Sequence, residues 1–468
     1  MMPQNRSDPT RQTLERDEDE RLAPVAMRSA TAQRCAPRDP EGRAFDYRTE
    51  FQRDRDRILH SRAFRRLRLK SNGGAFPPVE PWRDRLTHTL EVSQLSRTVA
   101  RSLGLNEDLV EAIALGHELG APPFGEAGAL ALDALMAGRA GGFGIGAQSL
   151  RVVDRIEKWY AHPGLNLTDA TREGIVKHEP PAERSIVLRQ TGVEGTARAH
   201  LRLDAPPFFE AQVVTAVHGV ATTVQDLDDG LRAGGIDPSE VERLPIVKEL
   251  IRREGIPRAQ RGGLHVRAGS LYRALTHMLV SVLIQNSRRG LDAWMRTHRV
   301  TTHGEFLDNR DHVAAGTIAL SARAARLFEG LTGLVQRRLH HGAALRGVAT
   351  RARHIISGLL ETLTVDPRLA EDYVLIRFRE ENGGSYLRDL SGPDAEKEIR
   401  RRYRGNARFA RLIADHIAGM TDLFAVSEYE RLLGPHPTSH AVHPAVRAAQ
   451  GSRGADDANA AREGGQGR

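Results

Sequence analysis

The chain has 468 residues, 40% of them hydrophobic, and a formal charge of +8. That is enough apolar material for a large core or two subdomains, while the single cysteine, Cys35, excludes an internal disulfide framework and argues against a Cys-based zinc site. No apolar run approaches a membrane span and the polar N-terminus carries no signal-like apolar region, so a cytoplasmic protein is expected. The basic balance suits polyanionic ligands such as nucleotides or nucleic acid, and equally an Arg-rich solvated surface.

Residues 1–42, rich in Arg, Asp, Pro and Ala without a clear period, read as a disordered N-terminal tail. Apolar residues mostly four apart over 83–103 (Leu86, Leu90, Leu95, Val99, Leu103) predict a helix that Gly104 ends. Asn106 caps the next helix, with Glu107 and Asp108 suiting its dipole; that helix should run to Pro122-Pro123. A third helix is expected over 211–224, followed by a turn or short cap at Asp226-Leu227-Asp228-Asp229-Gly230.

Residues 232–268, with several Gly and a Pro, read as a long connecting region. Helical periodicity then returns over 270–284, 317–339, 348–363 and 408–433. From 434 the chain turns Gly-, Ala- and Asp-rich and reads as a second disordered tail. The expectation is an all-α protein: a helical core over 43–235, a connecting region and helical C-terminal extension over 236–433, and tails at both ends.

Within this frame, His88 follows Arg85 by three residues, so both share a helix face. His117 and His218 each lie four residues after an apolar residue, Ile113 and Val214, and so face inward; Glu118 adjoins the first. A single His on an apolar face is more often a hydrogen-bonded core residue than a ligand. Three inward His and one acid form a sensible donor set for zinc, iron, nickel or manganese, provided the fold brings them together. Arg65, Arg66, Arg68 and Lys70 form a basic cluster that reads as a phosphate contact or a solvated helical face. The run EIRRRYR at 398–404 could track a nucleic-acid backbone or bind an effector nucleotide.

Several blocks, in order, resemble the deoxyguanosinetriphosphate triphosphohydrolase-like proteins of the HD-domain superfamily. They include RDRDRILHSRAFRRLRLKS (53–71), RLTHTLEVSQLSRTVARSLGLNEDLVEAIALGHELG (85–120), PPFGEAG (122–128), GGFGIGAQSLRVV (141–153), GLNLTDATREGIVKH (164–178), QDLDDGLRAG (225–234) and IADHIAGMTDLFAVSEYERL (413–432). The resemblance implies a helical scaffold that holds a divalent metal, Mg or Mn in the family, through two His and two Asp. It also implies hydrolysis of a deoxynucleoside triphosphate to deoxynucleoside and triphosphate.

On this resemblance His88 matches the first metal His, Arg85 a triphosphate-contacting Arg, and His117 the His of the HD pair. The Asp of that pair is Glu118 here, and the final metal Asp falls at His218. Ala121 and Glu126 stand where the family has His, and Ala129 where it has an acid; the positions of Glu126 and Ala129 carry the family's acid-base pair. Gly144, Ile145 and Gly146 replace three polar residues, and Thr222 a Tyr. Asn72 stands for a substrate-contacting Gln, and Asp226 is retained at a position associated with the sugar.

The expected site is therefore metal ligands His88, His117, Glu118 and His218, substrate contacts Arg85, Asn72 and Asp226, and Glu126 as the remaining candidate acid-base group. Its His-rich donors suit Zn, Ni or Fe better than Mg. Two readings follow. The rewritten acid-base residues favour a pseudoenzyme that binds a deoxynucleotide or related phosphate ligand, with nucleic acid as a further partner and an oligomer formed with itself or with an active homologue. The alternative is an active metal-dependent phosphohydrolase with a modified site.

Overall fold

A computed structural model describes residues 10–35, 47–72, 83–160, 162–178, 201–254 and 264–434. Among them there is no strand, only two isolated bridges, Arg34 to Thr168 and Ser71 to Asp84. The all-α expectation holds, and no helix is long and apolar enough to cross a membrane. The C-terminal tail and parts of the N-terminal one (1–9, 36–42) lie outside the described residues.

The rest of the expected N-terminal tail is folded. Helix α1 (Arg11–Arg21) opens on a capping box between Thr10 and Thr13. The run after it buries Leu22, Val25, Ala26 and Met27 in the largest apolar cluster. Glu18 fastens it, accepting from the Ser29 N–H (2.7 Å) and from the Asn106 side chain (3.0 Å). A short apolar run inside a highly charged stretch vanishes in windowed composition, which is why the sequence reads as a tail there.

The centre of the fold is built from α2 (Glu50–His60), α3 (Arg85–Leu103), α4 (Glu107–Gly116) and the long α8 (Phe209–Arg232). Asp84 caps α3 by accepting from Thr87 N–H (2.7 Å), and Gly104 closes it at φ 70°, left-handed backbone that glycine adopts at no steric cost. Asn106 caps α4 as expected, accepting from Leu109 N–H at 3.1 Å. Helix α4 stops at Gly116, well before the prolines. The Ser149 hydroxyl, on α6 (Ile145–Arg151), donates to His117 O (2.7 Å) and accepts from Gly120 N–H (2.9 Å), so these backbone groups are satisfied without another helical turn.

Asp226 to Gly230, expected as a turn, lie inside α8. Ion pairs override the local turn signal: Arg83 reaches both Asp228 (3.0 Å) and Asp229 from outside the helix, and within it Arg232 reaches Asp228 one turn back at 2.9 Å. The expected connecting region contains two short helices, Pro238–Arg243 and Pro245–Glu254.

Helix α9 (Leu264–His298) packs along α8 and α3. Helices α10 (Ala322–Val335), α11 (Ala343–Val365), α12 (Ala407–Ala418) and α13 (Asp422–Leu433) follow, and a π-helical turn, Gln336–His340, separates the first two. The chain's two parts interlock: α5 (Gly125–Ala140), from the expected core domain, packs on α11 and α12 and shares their apolar cluster.

In the basic run at 398–404, Ile399 and Tyr403 pack inward while Arg400, Arg401 and Arg404 are exposed. Tyr403 is buried against Phe378 (ring centroids 4.5 Å) and Phe409 (4.9 Å), so it is not open to stack on a base. Arg401 and Arg402 pair with Glu398, one turn back.

Candidate metal centre

Four side chains meet between α3, α8 and the turn that follows α4. One donor atom each from His88, His117, Glu118 and His218 falls within a group whose members all lie within 4.8 Å of one another. His88 sits in the first turn of α3, His117 caps the C-terminus of α4, and His218 lies mid-way along α8. Glu118 Oε1 is 3.9 Å from Nε2 of His117 and 3.9 Å from Nε2 of His218.

The orientation of each donor is set by a second partner. His88 Nδ1 lies 2.5 Å from Gln225 Oε1, and a carboxamide oxygen only accepts; Nδ1 therefore carries the proton and Nε2 the lone pair. Gln225 is itself held by Glu91 (2.5 Å), which also accepts from Tyr272 at 2.8 Å. His117 Nδ1 donates to Ala114 O at 2.6 Å. Its Nε2 is buried with no hydrogen-bond partner among the described residues. A buried, unpaired acceptor aimed at a carboxylate and two imidazoles is an arrangement that could hold a cation.

The electrostatics agree. Burial pushes the imidazoles of His88, His117 and His218 below the ordinary His range, so they stay neutral and keep lone pairs for coordination. Burial alone would raise Glu118, but the Arg85 guanidinium against its Oε2 overcomes this and holds the carboxyl down at about 2. Three neutral nitrogens and one carboxylate oxygen fit a borderline divalent cation such as zinc, nickel or ferrous iron.

Of the other expected residues, Arg85 touches the four-donor group, while Glu126 and Asp226 are not part of it. Arg85 is buried, donating to Ser71 O (3.1 Å) as well as to Glu118. Asn72 is half-buried beyond Ser71. Lys70 donates to Ala418 O (2.8 Å) and Ala121 O at 2.5 Å, and burial lowers it to about 7; it is a structural tie and not an open phosphate contact. Glu126 stands exposed in the first turn of α5, outside the four-donor group. Asp226 is buried two turns along α8 from His218, and its Oδ2 lies 2.9 Å from His340 Nε2.

Two histidines absent from the expected site belong to its surroundings. His340 comes from the C-terminal extension; its bond to Asp226, aided by the charges of Asp226 and Glu126, raises it above the ordinary His range despite burial. His178, the C-cap of α7 (Asp169–Lys177), closes the block GLNLTDATREGIVKH and packs against His117 and His218, with ring centroids 4.7 and 4.5 Å away. Its position at the end of that block was the signal available in the sequence. A largely apolar cavity of about 880 Å³ begins at His178 and runs along Thr215, Gly219 and Phe328.

Comparison with known proteins places this geometry. The HD domain family matches residues 85–181, and the phosphohydrolase-associated domain matches 318–431. A deoxyguanosinetriphosphate triphosphohydrolase-like protein of Nitrobacter hamburgensis is 36% identical, covering 86% of this chain and 96% of that protein. One from Deinococcus radiodurans is 34% identical, covering 91% and 100%. The chain belongs to the deoxyguanosinetriphosphate triphosphohydrolase-like family. In this family member, the HD match contains His88, His117 and Glu118, while His218 follows on α8. The second match takes in α10 to α13; α11, α12 and α13 share an apolar cluster with α5, whereas α10 packs in the cluster of α8 and α9.

Proposed function

We propose that this protein is a metal-dependent phosphohydrolase acting on a deoxynucleoside triphosphate or a related phosphoester, through a His-rich variant of the family's centre. The convergence of His88, His117, Glu118 and His218 around an unpaired buried nitrogen carries this reading. Relatives over most of the chain bear the name of a deoxyguanosinetriphosphate triphosphohydrolase-like protein, which supports the substrate class.

A bound divalent cation would supply Lewis acidity toward a phosphoryl oxygen and activate water there. The chain's own part is to hold and charge the site. Arg85 keeps Glu118 ionised, and Gln225 fixes the ring of His88. Burial removes water from the imidazoles of His88 and His117, while that of His218 is partly exposed. With Ala129 unable to carry a proton, proton handling falls to the His340–Asp226 pair and to Glu126 beside it. The pair combines a protonatable imidazole with a carboxylate that orients it, as general acid-base work requires. The cavity at His178 offers room for an uncharged part of the substrate.

The pseudoenzyme reading keeps two observations in its favour: Glu126 is exposed and Ala129 removes the family's acid. Metal content and turnover separate the two. The purified protein should carry a stoichiometric divalent cation that His218→Ala loses. Triphosphate release should be measured from each deoxynucleoside triphosphate with Mg²⁺, Mn²⁺, Zn²⁺ and Ni²⁺. Turnover that His340→Gln reduces would support the enzyme; nucleotide binding without metal or turnover would leave the pseudoenzyme.

A further inference from the structure

His178 Nε2 lies 3.1 Å from His218 Nδ1, and its Nδ1 lies 3.4 Å from Thr215 Oγ1. Thr215 Oγ1 in turn donates to Ala211 O at 3.2 Å. With Thr215 donating to Ala211, the contacts give one consistent placement of the protons. A hydroxyl has one proton, and Thr215 gives its own to Ala211, so toward His178 its oxygen accepts. His178 Nδ1 therefore carries a proton, and its Nε2 is the acceptor. His218 must then donate from Nδ1, which leaves Nε2 bare, the atom 3.9 Å from Glu118 Oε1. The opposite tautomer would aim an N–H at the other donors and close the site to a cation.

We propose that His178 is a positioning residue of the metal centre, its hydrogen bond holding His218 in the tautomer that turns an unprotonated Nε2 toward His88, His117 and Glu118. The proposal rests on the metal-binding reading above. It also explains why a His works at 218, where the family resemblance places an Asp. A carboxylate offers lone pairs from either oxygen, whereas an imidazole needs a partner to choose the nitrogen. Without His178, water in the adjoining cavity would compete for His218 Nδ1, because both His178 and Thr215 line that cavity or its edge.

The test compares the full-length wild type with His178→Phe, which keeps an aromatic ring without an acceptor, and His178→Gln, whose carboxamide oxygen can accept. Zinc alone is the probe, titrated against a competing chelator, and histidine ¹⁵N resonances of the metal-free protein report the His218 tautomer. His178→Phe should lose about 10–100-fold in zinc affinity, with His178→Gln recovering most of it. The wild-type apo protein should show His218 protonated at Nδ1. Wild-type zinc affinity in His178→Phe, or a proton on Nε2 of His218 in the wild type, would overturn the proposal. If the wild type takes up no zinc, the metal reading fails, and the tautomer measurement alone decides the positioning role. That measurement also decides it if His178→Phe does not fold.

Discussion

Arg85 shows how one side chain serves both stability and chemistry. The resemblance assigns it to a triphosphate, yet here it lies buried against Glu118, with side-chain exposures of 6% and 8%. A buried carboxylate without a counter-charge is strongly unfavourable, so removing Arg85 strands Glu118. Arg85→Leu should therefore lower the stability of the metal-free protein by about 3 kcal/mol, measured by denaturant unfolding. Added zinc should restore part of that loss by supplying the missing positive charge. A variant as stable as wild type would show that Glu118 is protonated, contrary to the electrostatics described.

Glu210 makes a second residue-scale prediction. Burial raises its carboxyl from the ordinary 4.5 to about 7, opposed by the Met27 and Asn106 N–H groups bonded to Oε1 (2.9 and 3.2 Å). A folded-state pKa above the unfolded one means the folded chain holds the proton more tightly. The associated stability is complete below about pH 4.5 and is lost as pH rises through about 7. Glu210→Gln keeps the oxygen acceptor without the charge, so its stability should vary less than the wild type's between those pH values. Parallel pH profiles from urea denaturation would refute this.

At the scale of elements, the connection from α4 to α5 is the most constrained segment near the site. Phe124 adopts φ 64°, which is uncommon for a non-glycine residue, and its N–H is held by Asp422 Oδ1 at 2.9 Å. A Cβ on Gly128 would meet Pro123 O at 1.9 Å, far inside van der Waals contact. Gly128→Ala should therefore force the turn apart and destabilise by about 1–3 kcal/mol, visible as a lowered Tm. A neutral substitution would mean that α5 can slide away from the turn. Helix α8 shows another element-scale effect: along one side it supplies His218, Gln225 and Asp226, while its apolar residues fill two clusters.

At the scale of the whole molecule, the N-terminal and C-terminal regions are joined through buried backbone polar groups. Asp422, on α13, accepts from Ser71 N–H and Phe124 N–H, both at 2.9 Å, and is fully buried. Asp422→Ala would leave two buried N–H donors unpaired and should cost at least about 2 kcal/mol. Unchanged unfolding stability and protease resistance would refute the idea that these bonds hold the halves together. Helix α12 adds a buried pair between halves, Asp415 with Arg151 of α6 (Nε to Oδ1 3.0 Å).

By itself the sequence determined the helical class, the caps at Asn106 and Gly104, the inward face of each site histidine and the family blocks. All of these depend on local spacing, residue chemistry or an ordered run of quoted motifs. Only the tertiary structure decided that four donors converge, that Arg85 and Lys70 turn inward, and that residues 10–35 fold onto the core. It also brought His178 and His340 to the site from distant segments. The physical reason is that periodicity fixes which side of a helix is buried but not what it meets. Convergence, pairing and tautomer depend on contacts between residues far apart in the chain.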